Sequence, residues 1–297
     1  MITAIERLNK KARAKSISTF DFSTLYSKIP HDKLISVLDE IVDFCFRGCS
    51  NSLLSVSKSG ARWVTKPSKN SLSFNIESVK LTIKFLMDNC LFSCGDCVYR
   101  QIIGLPMGSD PAPFMANLFL YHYESSWLKN IKKNDIHTAR KFSNTFRFID
   151  DLNAINDSGK FEEHFKEIYP PELELKKEHG NNSASFLDLD IEIDNKRFKT
   201  KLFDKLIKIV RMPDKSSNMP SKIFSSCIGA ETLRIARISS TLHSFQESCH
   251  SLYKRMLAQG ASKAGICRVL KKVYGRHPFL VKFGVNSKVF CDNLLNF

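Results

Sequence analysis

The sequence predicts an α+β protein, with a mixed body of strands and helices to about residue 212 and a basic, all-helical part beyond it. Three observations carry this. Short β-branched and aromatic runs alternate with longer segments of helical periodicity through the first two thirds of the chain. From Pro220 onward the pattern is helical alone. The charge divides near the same place: residues 196–297 hold 20 Lys and Arg against five acids, an excess equal to the +15 of the whole chain. A neutral body with a basic C-terminal third is the footprint of a nucleic-acid grip.

At 297 residues and 43% hydrophobic content, the chain can bury one large core or two moderate ones, and wholesale disorder is excluded. No apolar run approaches a membrane span, and the N-terminal MITAIERLNKKARAKS lacks the apolar core of a signal peptide. Nine scattered cysteines, an odd number, suit a reduced intracellular protein better than a disulfide framework. Cys90, Cys94 and Cys97, with Cys45 and Cys49 upstream, are irregularly spaced and lack a nearby histidine. They predict free thiols in a hairpin rather than a zinc site.

Taken in order, residues 16–26 (SISTFDFSTLY) are rich in β-branched and aromatic side chains and predict a strand ending near Asp21. Pro30 suits a helix start, and HDKLISVLDEIVDFCF after it puts Leu34, Leu38, Ile41, Val42 and Cys45 on one face. Residues 47–72, dominated by Ser, Gly, Asn and Lys, predict a loop or ragged insertion. A helix over 76–89 precedes a hairpin in which Gly95-Asp96 joins LFSC to CVYR. GLPMGSDPAP (104–113) is turn chemistry that feeds a helix over 111–129. Residues 144–157 (NTFRFIDDLNAIND) read as strand, sharp turn, strand, with two acids at the turn. A short helix over 161–168 ends at Pro170-Pro171, and two strands, ELELKKE and SFLDLDIEI, follow with a turn at 180–182. A strand region over 198–210 then leads to helices over 221–239, 242–258 and 262–274.

Asp150-Asp151 at a strand–strand turn, flanked by Phe148, Ile149 and Leu152, sets two carboxylates against one another in a partly apolar setting. A divalent cation removes that conflict, and magnesium, held by one or two carboxylates plus substrate phosphates, leaves room for a nucleotide. Asp21, ending an apolar strand, is the best third carboxylate. Two such ions would activate an attacking 3′-hydroxyl and stabilise departing pyrophosphate.

FDFSTLYSKIP, GLPMGSDPAPFMANLFL and FRFIDDL, in that order, resemble motifs A, B and C of reverse transcriptases. The fuller wording is similar to Penelope-like retroelements: STFDFSTLYSKIPHDKL, SFLDLDI, IVRMPDKSSNMPSKIFSSCIGAETLRIAR and RMLAQGASKAGICRVLKKVYGRH, together covering roughly residues 16–283. The resemblance implies a reverse-transcriptase palm, an antiparallel sheet with packed helices, over 16–212 with partial fingers insertions. It also implies an all-helical basic thumb over 213–283, a basic N-terminal remnant over 1–15 and a C-terminal tail over 284–297. The fingers are largely missing from this reading, since only Arg7, Lys10, Lys11, Arg13 and Lys15 stand ahead of motif A as basic residues, and no endonuclease domain follows.

Carried over position by position, the resemblance makes Asp21, Asp150 and Asp151 the ligands of two Mg2+ ions, with Mn2+ as the alternative ion. Phe22 and Tyr26 would lie at the incoming nucleotide, the Tyr26 ring rejecting a 2′-hydroxyl. Gly104, Pro106, Met107 and Gly108 would approach nucleotide and template, with Met107 standing where many reverse transcriptases carry glutamine. Lys176 and Lys177 fall in the region like motif D, where either Lys177 or Lys176 would be the acid for the leaving pyrophosphate. Residues 209–213, with Arg211, correspond to the primer grip. Arg234, Arg237, Lys254, Arg255, Arg268, Lys271 and Lys272 would face duplex phosphates.

The function so implied is RNA-directed DNA polymerisation by a transposable element, acting on an RNA template, a DNA primer and deoxynucleoside triphosphates. No membrane is involved, and nuclear action follows from the element type. Without a triphosphate clamp the isolated chain is expected to synthesise weakly or not at all. The alternative is a catalytically silent, transposon-derived fragment that only binds nucleic acid. A third reading, the related telomerase catalytic subunit, is disfavoured by the motif wording and by the lack of room for an RNA-binding domain.

Overall fold

The computed structural model describes residues 1–49, 52–203 and 214–295. Along the chain run α1 (Ile2–Lys10), β1 (Ile17–Phe22), α2 (Leu25–Lys28), α3 (His31–Arg47), β2 (Leu53–Ser57), β3 (Gly60–Val64), β4 (Leu72–Phe74) and α4 (Ile76–Asp88). Next come β5 (Leu91–Cys94), β6 (Cys97–Arg100), α5 (Ala112–Asn134), α6 (Ile136–Lys141), β7 (Thr145–Phe148), β8 (Asp151–Ile155) and α7 (Lys160–Ile168). The rest is β9 (Leu175–Asn181), β10 (Ser183–Phe186), β11 (Leu189–Asp194), β12 (Arg197–Leu202), α8 (Ser221–Ile238), α9 (Leu242–Ala258), α10 (Lys263–Arg276) and α11 (Ser287–Leu295). A four-stranded sheet has the order β7-β8-β1-β9, and three-stranded sheets have the orders β10-β11-β12 and β3-β2-β4.

The chain forms two compact units, one of Met1–Thr19, Asn153–Asn156 and Lys177–Phe297, the other of Phe20–Leu152 and Asp157–Lys176. In the second, α3 packs against α4 and α5, and α5 against α7. Its core holds Phe22, Leu25, Leu34, Phe119, Leu120, Leu152 and Phe161. Phe20 meets Phe161 at 4.9 Å, and Phe22 meets Tyr169 edge-on at 4.8 Å, a geometry that aligns ring edge with ring face.

In the first unit α8–α11 enclose a core of Phe224, Ile228, Phe245, Leu252, Tyr253, Leu270, Phe283 and Phe290. Phe245 stacks on Phe283 at 4.0 Å, and the buried Tyr253 hydroxyl is satisfied by Thr232 at 2.9 Å. Thr241 and Ser244 cap α9 reciprocally, which fixes its start. The Asn9 side chain on α1 both accepts from and donates to the Phe198 backbone, at 2.7 and 2.8 Å, covering that strand edge.

Most sequence-based elements stand where expected, and the exceptions have physical causes. Residues 47–72 include a strand pair: Leu53–Ser57 pairs with Gly60–Val64 through a turn that Ser57 braces on the Gly60 carbonyl at 3.2 Å. Ser and Gly there make a turn, not a long loop. SFLDLDIEI is two strands, because Leu187 adopts φ 55° and Phe186 pairs with Leu189. The alternation of Leu187, Leu189, Ile191 and Ile193 hid that reversal. The chain before the main sheet forms α1, and the stretch read as a tail contains α11, which buries Phe290, Cys291 and Leu294. On α3, Val37 is buried while Cys45 is exposed, so the apolar stripe is shifted from the one read. The end of the 198–210 strand region and all of the primer-grip segment fall outside the described residues. All nine cysteines are free thiols, with Cys94 and Cys97 exposed on the β5–β6 hairpin. No helix is long and apolar enough to cross a membrane, among the described residues.

Candidate active site

The three sequence motifs converge within the second unit through backbone contacts. Strand β1 ends with Asp21 and Phe22, and the Phe22 N–H donates to the Asp150 carbonyl at 3.2 Å, joining the first motif to the acid pair. Asp150 and Asp151 follow Ile149, whose φ of 55° places a β-branched residue in the left-handed region. That conformation costs on the order of 1–3 kcal/mol and persists only where surrounding structure enforces it. Asp21, Asp150 and Asp151 are all half-buried.

Tyr26, on α2, lies close enough to sense the same group. Burial raises its hydroxyl above the ordinary phenol value, and the Asp150 carboxylate raises it further by disfavouring a second negative charge. The Tyr26 carbonyl accepts from the Leu105 N–H at 2.6 Å, and the Gly104 N–H donates to Ile29 at 2.8 Å. His31 donates from Nε2 to the Gly104 carbonyl at 2.6 Å, since a carbonyl can only accept. Gly104 has φ +80°, and a Cβ there would stand 2.3 Å from the Tyr26 carbonyl oxygen, so only glycine fits. Gly108, at φ +90°, has open space around it, Met107 is 81% exposed and Pro106 is half-buried, so this loop presents itself to solvent.

Other sequence-based assignments fare differently. Phe22 is 3% exposed, so its ring belongs to the core rather than to a surface that a nucleotide could reach. Lys176 and Lys177 are exposed on β9, the edge strand of the four-stranded sheet. In the basic unit, Arg237, Lys254, Arg268, Lys271 and Lys272 are exposed and Arg255 is half-buried. The Arg234 guanidinium is paired with Asp188 at 2.6 Å and with Glu231 at 2.8 Å. Arg211 falls outside the described residues.

Sequence reasoning passed over Arg147, although a charged residue between two phenylalanines of an apolar strand was a visible signal. It lies immediately before the strained turn, 11% exposed at its side chain, and contacts Glu124, Asn117 and the Ile149 carbonyl. Tyr169 donates to the same Glu124 at 2.8 Å, and burial, followed by the Glu124 charge, raises its hydroxyl well above the ordinary value.

The acidic set is oxygen-only, which is the donor chemistry that magnesium and manganese favour. Among the described residues, no three His, Cys, Asp or Glu side chains stand close enough together to hold a metal ion. An all-protein cage is therefore not formed among the described residues, and a cation there would need ligands from outside the protein.

A four-stranded sheet carries the Asp21 strand and the strained Asp150-Asp151 turn, with the Gly104 loop held on the Tyr26 and Ile29 backbone. Solved structures give it a closer likeness. The chain is similar to a telomerase from Candida albicans in complex with a TWJ fragment of telomeric RNA, at TM-score 0.64 and 10% identity, over 99% of this chain and 50% of that one. It is also similar to the apo telomerase from Candida tropicalis, at TM-score 0.50 and 13% identity, over 99% and 51% of the two chains. The likeness is one of fold, and the chain spans about half the length of these structures. No family model and no curated protein matches the chain.

Proposed function

We propose that this chain is the catalytic core of an RNA-directed DNA polymerase from a Penelope-like element, with a palm over 16–212 and a thumb over 213–283. The observation that supports the reading is the Phe22–Asp150 backbone bond, which joins the strand carrying Asp21 to the strained turn of Asp150-Asp151, whose Asp150 charge also acts on Tyr26. Asp21, Asp150 and Asp151 would hold divalent ions, with nucleotide phosphates completing the ligand set. Such ions, when bound, supply the charge that favours 3′-hydroxyl attack and pyrophosphate departure. The protein's own part is positional. The turn presents two carboxylates, the Gly104 loop brings backbone close, and the Tyr26 ring limits the space beside the sugar. The exposed cations of α9 and α10 would grip duplex phosphates. RNA as template accords with the similar Candida albicans telomerase being a complex with telomeric RNA.

A specific observation favours a second reading, a silent chain that binds nucleic acid: no three metal-ligating side chains are drawn together among the described residues. Primer extension on an RNA template with magnesium separates the two. The polymerase reading expects weak synthesis that disappears in Asp150→Asn and admits ribonucleotides in Tyr26→Ala. Synthesis that survives Asp150→Asn refutes this assignment of the site, and duplex binding without any synthesis supports the second reading.

A further inference from the structure

We infer that Arg147 is a positioning residue that holds the Asp150-Asp151 turn in place, an inference that rests on the polymerase reading for its functional meaning. All five of its N–H groups have acceptors. Nε donates to Glu124 Oε1 at 2.5 Å and Nη2 to Glu124 Oε2 at 3.1 Å, a bidentate pair. Nη2 also reaches the Asn117 carbonyl at 3.4 Å. Nη1 donates to Asn117 Oδ1 at 2.7 Å and to the Ile149 carbonyl at 3.2 Å. The last bond falls on the residue whose left-handed backbone makes the turn sharp.

Two helical side chains thus aim one guanidinium at the strained peptide ahead of the acids. Glu124 and Asn117 lie on α5, and Glu124 is itself fixed by the Tyr169 hydroxyl, whose ring packs on Phe22 beside Asp21. The same network therefore touches both the strand that carries Asp21 and the turn that leads into Asp150. A strained turn relaxes unless its neighbours over-determine it, and a five-donor planar fork does so where a point charge could not. An ion pair at such low exposure is costly if its only role is stability, because apolar packing would serve as well.

Hydrogen–deuterium exchange on the metal-free protein tests this without requiring activity. In Arg147→Lys, exchange at residues 149–152 should rise about 10- to 100-fold, the range for losing a charge-assisted hydrogen bond. Exchange in α9 and α10 should stay unchanged. If Arg147→Lys folds poorly, Asn117→Ala keeps the Glu124 pair, and the turn should still exchange several-fold faster. Mn2+ affinity in the presence of a deoxynucleoside triphosphate should fall about 10-fold in Arg147→Lys, as for other groups that orient metal ligands. Turn amides exchanging at the parental rate in both variants would overturn the inference, as would acceleration spread evenly over the whole chain. Absence of Mn2+ binding by the parental protein, with the exchange result upheld, would instead reject the polymerase reading and leave the clamp standing.

Discussion

Gly104→Ala should be among the most damaging single-methyl changes in the molecule. The residue sits at φ +80°, where an L side chain costs about 1–2 kcal/mol. The added Cβ would fall 2.3 Å from the Tyr26 carbonyl oxygen and 2.9 Å from Ser27 Cα, both backbone atoms that no rotamer change can move. Separating them strains the Gly104–Ile29 and Leu105–Tyr26 hydrogen bonds, each worth about 1 kcal/mol net. The total is roughly 3–4 kcal/mol, or about 6–16 °C in melting temperature at 2–4 °C per kcal/mol. Gly108→Ala is the internal control. Its φ is +90° but nothing lies within 4 Å, so only the conformational cost of about 1–2 kcal/mol applies. Thermal unfolding followed by near-UV circular dichroism compares the two. Equal losses in both variants would refute the close approach of the glycine loop to the Tyr26 backbone.

Other outcomes can be checked as directly. Burial pushes the Cys249 and Cys291 thiols up to about 12, while Cys94 and Cys97 are exposed. A thiol reagent at pH 8 should label the hairpin pair on the order of 10³-fold faster, and uniform labelling of the native protein would contradict the packing of α11. Asp150→Asn should lower the Tyr26 hydroxyl pKa but leave it raised by burial, read by ultraviolet titration against Tyr26→Phe. Because the folded value is raised, the neutral Tyr26 stabilises below about pH 10 and that contribution fades as pH rises through the folded value. No change in Asp150→Asn would place the carboxylate away from the ring. Duplex binding should weaken with salt and be lost in Lys271→Glu/Lys272→Glu, whereas Arg234→Gln, already paired to Asp188 and Glu231, should change it less than threefold. Indifference to salt would sink the assignment of that surface.

Much of the site was legible because its residues are consecutive. Phe20 to Phe22 and Thr145 to Leu152 carry their strand pattern and their acids in one short word each, and local chemistry sufficed. The Gly104 loop was recognisable as a turn, but its closeness to Tyr26 depends on a meeting of segments far apart in sequence, which periodicity does not encode. Arg147 was overlooked for the same reason: its partners Asn117 and Glu124 lie on α5, 23 to 30 residues away. Arg234 looked like every other exposed cation until folding placed Asp188 beside it. The β2–β3–β4 sheet and the break at Leu187 show the complementary failure, where composition and alternation are locally ambiguous between loop and strand or between one strand and two.

The claim that Asp21, Asp150 and Asp151 act as one cation site is tested most directly by Mn2+ binding, measured by electron paramagnetic resonance with and without a deoxynucleoside triphosphate. The expected result is weak binding by the protein alone, strengthened at least tenfold by the nucleotide, and lost in Asp21→Asn, Asp150→Asn and Asp151→Asn alike. Nucleotide-independent binding, or binding that persists in any of the three variants, would contradict it.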